Sequence, residues 1–548
     1  MKAGGSGDVR AGSEVVAAQI GRMPRGEWSV VVSCPFGFPA VIETAPYLAD
    51  GTPFPTLFYL TCPSAVDEVA GREAAGGVEA FRRSVDGAPG LTRTFAALDR
   101  LQRRRRRELA RAADGEDTIQ VADGGAVLER GIGGPQGAER ATCLHAYTAT
   151  LLAATTGALG SAGASVKRDD WGALLGDVDR LWCRDARCVA FLPGRWERHA
   201  AVDVGTNSVR VLIAAVGESG SVLGLVRRAE ITQLGAGLAP GRPFDPEARL
   251  RTGQAVADLV AEARTLGART IHLVGTSAAR DAADGPAFIA GLGRDLDVAA
   301  HVATGAEEAA LTFLGATHDL EGAPVVVDIG GGSTELVRGR GTDVGSRGAA
   351  GDATPESDAV GLDVEGVDAV SLDLGCVRGT AAWFTSDPPS CVELRVARRA
   401  CVEAFRPLAS RFGPGAPPPT LGGATGMAQG RREGGSGAAT SPERLPRLVG
   451  VAGTITTLAC VALALPEYDP DAIHLRSFDR RELEDVVDRL SAMGPDERAA
   501  LPCMQRGRGG VIVAGGVILL AAMEALGWTE ITVSERDLLD GILLAAAG

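Results

Sequence analysis

The sequence predicts an α/β protein built from two similar lobes that share one cleft, preceded by a separate α+β domain. Three observations predict this. A short Asp-x-Gly motif occurs twice, as Val202-Asp203-Val204-Gly205-Thr206-Asn207-Ser208 and, 125 residues later, as Val327-Asp328-Ile329-Gly330-Gly331-Gly332-Ser333. From about residue 198 onward, apolar strand-like runs alternate with helical patterns, which suggests α/β layering. The first 195 residues carry cysteines, aromatics and a basic helix of their own.

Along the chain, residues 1–27 read as a flexible N-terminus and residues 28–195 as the separate domain. Within that domain, residues 91–113 read as a helix carrying five consecutive arginines, Arg103 to Arg107. Residues 198–320 read as the first lobe and 321–548 as the second. In each lobe the repeated motif ends one apolar run (Ala200 to Val202; Val325 to Val327) and starts another (Val209 to Ala215; Leu336 to Val337). Each copy therefore reads as a β-hairpin whose tight turn is made of Gly and small polar residues. Two such hairpins at domain-sized separation imply two lobes whose turns face a common cleft. Two stretches, about 339–368 and 413–447, are rich in Gly, Pro, Ser and Ala and lack periodicity. They read as disordered, solvent-exposed insertions.

At 548 residues the chain can hold two or three domains with sizeable cores. No apolar run approaches the ~20 residues that span a bilayer; the longest candidate, Val511 to Met523, contains two glycines and stops at Glu524. The opening residues MKAGGSGDVR lack the apolar stretch of a secretory signal, so a cytoplasmic protein is expected. A net charge of −14 argues against general nucleic-acid binding, which needs a basic footprint. It leaves polyanionic substrates open, because a local cleft can be basic on an acidic protein. Lysine occurs only at Lys2 and Lys167, so phosphate contacts must come from Arg, backbone N–H groups and metal. The ten cysteines form no close-spaced framework and are expected to be reduced thiols.

The repeated turns suit phosphate chemistry. Small residues let successive backbone N–H groups point into one concavity, an anion-binding nest, and glycine lets the phosphate come close. Thr206, Ser208, Ser333 and Thr334 add hydroxyl donors. Asp203 and Asp328, at the strand ends, can hold Mg²⁺ directly or through water. A plainer reading of either copy alone is a tight turn capped by its aspartate; the matched pair favours a clamp for a phosphoryl group and its metal.

With those residues in view, the duplicated hairpins resemble the ribonuclease H-like superfamily of actin, Hsp70 and the sugar kinases. Asp203 to Arg210 and Asp328 to Glu335 are more similar to the exopolyphosphatase/guanosine pentaphosphate phosphohydrolase family than to the kinases. Further segments fit in order: Gly275-Thr-Ser-Ala-Ala-Arg280, Gly305-Ala-Glu-Glu308-Ala, Ser371 to Arg378, Gly450 to Thr454 and Val533 to Gly541. Together they cover about residues 198–548. The sequence departs from the family pattern at Gly285, Gly379 and Gly510, where Asn, a larger apolar residue and Asp are usual. The resemblance implies a hydrolase that releases terminal phosphate from inorganic polyphosphate or guanosine pentaphosphate with Mg²⁺ (or Mn²⁺). It implies Glu308 as the base activating water, Glu307 as its less favoured neighbour, Glu335 as a second acid for metal or water, and Arg280 as a bidentate phosphate contact. Gly205, Thr206, Asn207, Ser208, Gly330, Gly331, Gly332, Ser333, Thr334 and Arg378 would then hold phosphate, and Asp203 and Asp328 the metal. Members of the family often form homodimers, and the final helix packs back on the first lobe. Asp537 and Asp540 read as caps of that helix, and Asp373 as an exposed strand residue. A kinase of the same fold, or a catalytically weak sensor of polyphosphate or an alarmone, are the competing readings.

In the N-terminal domain, the segments around Cys34-Pro-Phe-Gly, Thr61-Cys62-Pro and Cys143-Leu-His145 resemble an uncharacterised high-GC bacterial domain of unknown function. Cys34, Cys62, Cys143 and His145 form a candidate Cys₃His metal site, since thiolate and imidazole suit zinc; the alternative is isolated, buried thiols. The five-arginine run reads either as a solvated helix face or as a docking surface for polyphosphate.

Overall fold

The computed structural model describes residues 9–114, 123–133, 141–156, 178–218, 220–320, 322, 324–339, 367–416, 446–505 and 507–547. The chain divides into two compact units, Met1–Trp196 and Glu197–Gly548.

The N-terminal unit is α+β, as expected. Its three-stranded antiparallel sheet runs β1 (Trp28–Ser33), β2 (Pro39–Thr44), β3 (Phe58–Leu60), with the central strand buried along its whole length. Phe81, Phe95 and Tyr147, from three different helices, pack with ring centroids 5.0–5.6 Å apart. The boundary expected at residue 28 is corrected. The helix Ser13–Ile20 buries Val15 and Val16 completely, and Gln19 donates to the Pro39 carbonyl at 2.9 Å, so this segment is part of the unit. Residues 1–8 lie outside the described residues.

The arginine run is neither an open docking surface nor a uniformly solvated face. Five consecutive residues span more than a full helical turn, so the helix Pro89–Asp114 aims them in every direction. Arg104 pairs with Glu108, Arg105 grips both Glu43 oxygens at 2.8 Å, and Arg107 pairs with Glu129. Arg106 is fully buried and donates to the carbonyls of Pro55 and Arg130, and burial lowers its pKa to about 10.

The second unit carries two sheets of the same design. In the first, β4 (Trp196–Val204), β5 (Ser208–Gly217), β6 (Val222–Ile231), β7 (Thr270–Gly275) and β8 (Ala299–Val302) lie in the order β6-β5-β4-β7-β8. In the second, β9 (Val325–Ile329), β10 (Thr334–Arg338), β11 (Asp368–Leu372), β12 (Leu448–Val451), β13 (Ser477–Asp479) and β14 (Glu530–Val533) lie in the order β11-β10-β9-β12-β14-β13. Each sheet begins with a three-strand meander, and its next two long-range strands add in parallel beside the first strand. β13 is an added antiparallel edge. The shared strand order is the duplication that the repeated motif predicted.

The final helix, Leu538–Ala547, returns to the first lobe. Leu538, Leu539, Ile542 and Leu543 complete a buried cluster with Ala201, Leu212, Ala214 and Val274. It crosses the helix Gly305–Thr317 so closely that a Cβ on Gly541 would overlap the Leu311 carbonyl, and one on Gly315 the Asp537 carbonyl. The apolar run at 511–523 forms most of the helix Ile512–Leu526, buried in the second lobe. No helix among the described residues is long and apolar enough to cross a membrane. Both expected insertions lie outside the described residues except at their ends; Asp368 already starts β11. All ten cysteines are free.

Candidate active site

The two turns are built alike. Gly205 N–H donates to the Ser208 carbonyl and Gly330 N–H to the Ser333 carbonyl, each at 3.0 Å. They also meet. A Cβ on Gly331 would lie 3.0 Å from Thr206 Cβ and 3.4 Å from Asn207 N, and one on Gly332 would press on Ser277 Oγ at 2.5 Å. Glycine is required here by this close approach. Behind the second turn, the helix Cys376–Trp383 directs its first N–H groups onto the Gly330 and Gly331 carbonyls. Gly375 touches the turn so tightly that a side chain would overlap the Gly331 carbonyl.

Between the turns lies a cavity of about 90 Å³, room for several waters, since one needs roughly 10–15 Å³. Its walls include Gly205 to Ser208, Gly330 to Ser333, Asp203, Asp328 and Glu308, the sequence-predicted core of the site. Arg210, Thr276, Ser277, Gly453, Thr454 and Arg508 also line it and were not singled out from sequence. The first five stand inside quoted motifs, which was the available signal.

Glu308 is set by the start of its helix. Thr304 caps that helix and Glu307 closes the capping box, its carboxylate accepting the Thr304 N–H at 2.7 Å. Glu307 is thereby committed to the cap, and Glu308, one residue on, is left for the cavity. Arg280 holds Glu308 Oε2 at 2.6 Å and donates to the Ala303 carbonyl at 2.9 Å. Arg280 therefore reaches Glu308 rather than the cavity wall. Burial raises the Glu308 pKa, against the pull of Arg280.

Asp203 and Asp328 differ in their surroundings. Arg210 grips Asp203 Oδ2 through Nε at 2.9 Å and Nη2 at 2.7 Å, and binds Asp537 at 2.5 Å. Arg227 binds Asp537 at 3.2 Å and also Asp540, while the same two aspartates accept N–H groups at the start of the final helix. They cap that helix, as expected, and tie it to the first lobe's sheet. Asp328 lies directly opposite Glu335 across the β9–β10 hairpin, a pairing that puts two carboxylates about 5 Å apart on one face. Neither forms an ion pair with the described residues. Burial, resisted by Arg210 and reinforced by Glu308, pushes Asp328 up to about 7. Burial, then Glu308 and Asp328, holds Glu335 well above its ordinary value, with Ser371 Oγ donating to it at 2.8 Å. Buried carboxylates without a cationic partner suit a hard cation with oxygen ligands.

Two predicted phosphate contacts are placed elsewhere. Thr334 is fully buried and donates to the Leu374 carbonyl at 2.5 Å, because strand alternation turns it to the face opposite Glu335. Arg378 pairs with Asp281 at 2.6 Å and stands 3.8 Å from the exposed Asp373, outside the cavity wall. The departures from the family pattern also find their surroundings. Trp383 occupies the space beside Gly379, Gly285 abuts the Ala279 carbonyl, and Gly510 faces open space.

The Cys₃His site expected in the N-terminal unit does not assemble. Cys34 and Cys62 line one cavity with Cys183 and Cys188, whereas Cys143 and His145 gather with Glu73. The spacing of isolated cysteines carries no information on which segments the fold brings together.

Two α/β sheets of like strand order, whose glycine-rich turns meet across a cavity lined by acids, frame a candidate site for phosphoryl chemistry. The chain belongs to the Ppx/GppA phosphatase family, whose model matches residues 212–433 and 436–548, and it is a hydrolase. Exopolyphosphatase 2 of Mycobacterium tuberculosis is 37% identical over 368 residues, covering 64% of this chain and 99% of that protein. An exopolyphosphatase structure from Cytophaga hutchinsonii is 20% identical, with a TM-score of 0.50 over 64% of this chain and 98% of its own, a likeness of fold. Residues 30–164 match a second family, a protein of unknown function (DUF501).

Proposed function

We propose that the chain releases terminal orthophosphate from inorganic polyphosphate by in-line attack of water, with Mg²⁺ or Mn²⁺. The observation that carries this reading is the pair of facing turns with Glu308 between them. The M. tuberculosis exopolyphosphatase, similar along 99% of its length, supports the choice of polyphosphate.

The turns at Gly205–Ser208 and Gly330–Ser333 bind the terminal phosphate through backbone N–H groups and hydroxyls, which stabilise the charge spread over the transferring group. Arg508 lines the same cavity and its Nε has no hydrogen-bond partner among the described residues, so it is available to the phosphate chain. Glu308, held by Arg280, accepts the proton of the attacking water; its raised pKa suits a base working near neutral pH. Asp328 and Asp203 Oδ1, which Arg210 leaves free, would hold the cation, with Glu335 beside them. The cation supplies polarisation of the phosphoryl oxygens.

Phosphate release from polyphosphate and from guanosine pentaphosphate, with and without Mg²⁺ and with no acceptor, tests the proposal. Mg²⁺-dependent release from polyphosphate is expected. Preference for guanosine pentaphosphate would change the substrate, an acceptor requirement would make the chain a kinase, and binding without turnover would make it a sensor.

A further inference from the structure

The N-terminal unit holds a group of ligating side chains that the phosphatase chemistry does not use. Glu73 stands in the last turn of the helix Pro63–Ala74; Cys143 is the N-cap of the helix Leu144–Thr155, and His145 follows in its first turn. A carboxylate oxygen, the thiol sulfur and a ring nitrogen from these three all lie within 4.8 Å of one another. Among the described residues no other set of three such atoms gathers so closely.

The orientation of the ring decides what it offers. His145 Nε2 is 3.2 Å from the Val66 carbonyl, and a carbonyl only accepts, so Nε2 carries a hydrogen and donates it. The other nitrogen, Nδ1, is turned toward Glu73, 3.3 Å from Oε1. That separation is longer than the roughly 2.7–2.9 Å of a charge-assisted N–H···O bond. It equals the edge of about 3.3 Å between two ligands each about 2.0–2.1 Å from a tetrahedral zinc. A ligating histidine usually donates its remote N–H to a carbonyl or carboxylate, as the Val66 contact does. Glu73 is aimed by the Leu144 backbone N–H, which its Oε1 accepts. The side chains of His145 and Glu73 are 26% and 27% exposed, so one side of the group opens to solvent.

We propose that Glu73, Cys143 and His145 bind a zinc-type divalent cation, with a fourth position open to water or a small ligand. One sulfur, one nitrogen and one oxygen donor form a set suited to zinc, and three protein ligands with an open position mark a reactive rather than a purely structural centre. Cys34, Cys62, Cys183 and Cys188 gather elsewhere in the unit and do not contribute.

The test uses the full chain, exchanged into metal-free buffer, titrated with Zn²⁺ and measured by mass spectrometry of bound metal. About one zinc per chain is expected. Cys143→Ser and His145→Asn should each weaken binding by more than the ~10–100-fold lost when only an outer-shell partner is removed. Substitution with Co²⁺ should give a thiolate charge-transfer band that Glu73→Gln retains and Cys143→Ser abolishes, with near-ultraviolet circular dichroism confirming the fold of each variant. Cys34→Ser and Cys188→Ser should keep the metal. Absence of stoichiometric zinc in the unsubstituted chain overturns the proposal, as does metal that survives Cys143→Ser but is lost in Cys34→Ser or Cys188→Ser.

Discussion

Replacing Glu308 by Gln isolates the proton-accepting role proposed for one carboxylate. The change preserves volume and keeps a carbonyl oxygen where Arg280 Nη1 now finds Oε2 at 2.6 Å, while Arg280 retains the Ala303 carbonyl at 2.9 Å. Removing one member of a buried ion pair costs about 3–5 kcal/mol when the other is left bare. Here the amide oxygen still accepts a hydrogen bond, and the repulsion that Glu308 exerts on Asp328 and Glu335 disappears. The two effects oppose each other, so the net change in stability should stay within about 2 kcal/mol. The rate has no such offset. A positioned general base supplies ~10²–10⁴-fold, about 2.7–5.5 kcal/mol of barrier. Saturating polyphosphate with Mg²⁺, phosphate release followed by colour development, and a thermal melt of the same samples separate the two outcomes. A fall in kcat of less than tenfold at an unchanged melting temperature would remove Glu308 from the base role.

Arg280→Met leaves Glu308 buried without its cation, so its pKa climbs further and the pH–rate profile should shift to higher pH; an unshifted profile contradicts the pairing. Arg508→Met should raise KM for polyphosphate at least about tenfold, one charge-assisted bond being worth roughly 1.5–3 kcal/mol, with a smaller effect on kcat. Asp328, at about 7, lies above its ordinary value of 3.8, so the metal-free fold binds this proton more tightly than the unfolded chain does. Its contribution to stability is complete below about pH 4 and is lost as pH rises through 7. Melting temperature without metal should therefore fall from pH 5 to pH 8, and Mg²⁺ should raise it more at pH 8 than at pH 5; equal Mg²⁺ shifts at both would count against the site. Gly541→Ala forces a methyl onto the Leu311 carbonyl and should destabilise by about 1–3 kcal/mol in denaturant titration.

What could be read from sequence was what lies close together in the chain. The turns at Gly205 and Gly330 announce themselves because each is a contiguous string of small residues after a strand, and their recurrence reports two lobes. Glu308 was legible only through the resemblance of Gly305-Ala-Glu-Glu308 to a family motif, since locally it reads as an acid at a helix start; the cap formed by Thr304 and Glu307 shows in the structure why it is the second acid that faces the cavity. Thr334 was misread although period-2 alternation separates it from Glu335. Arg210 bridges Asp203 to Asp537, 327 residues from Arg210, and Arg508 lines the cavity although it stands far along the chain from both turns; no local pattern encodes such meetings. The arginine run misled for the same reason, since its partners Glu43, Pro55, Glu129 and Arg130 are remote in sequence.

The return of the final helix bears on how the protein is made. Four side chains, Leu538, Leu539, Ile542 and Leu543, belong to the interior of a lobe that began more than three hundred positions earlier. While the second lobe is being synthesised, the first waits with an apolar hollow open to water, and it can seal only once residues 538–543 have been made. A copy shortened by a dozen residues would lose an internal wall rather than a tail. Loss of that segment is thus converted directly into exposed hydrophobic surface, the feature by which defective chains are picked out for disposal.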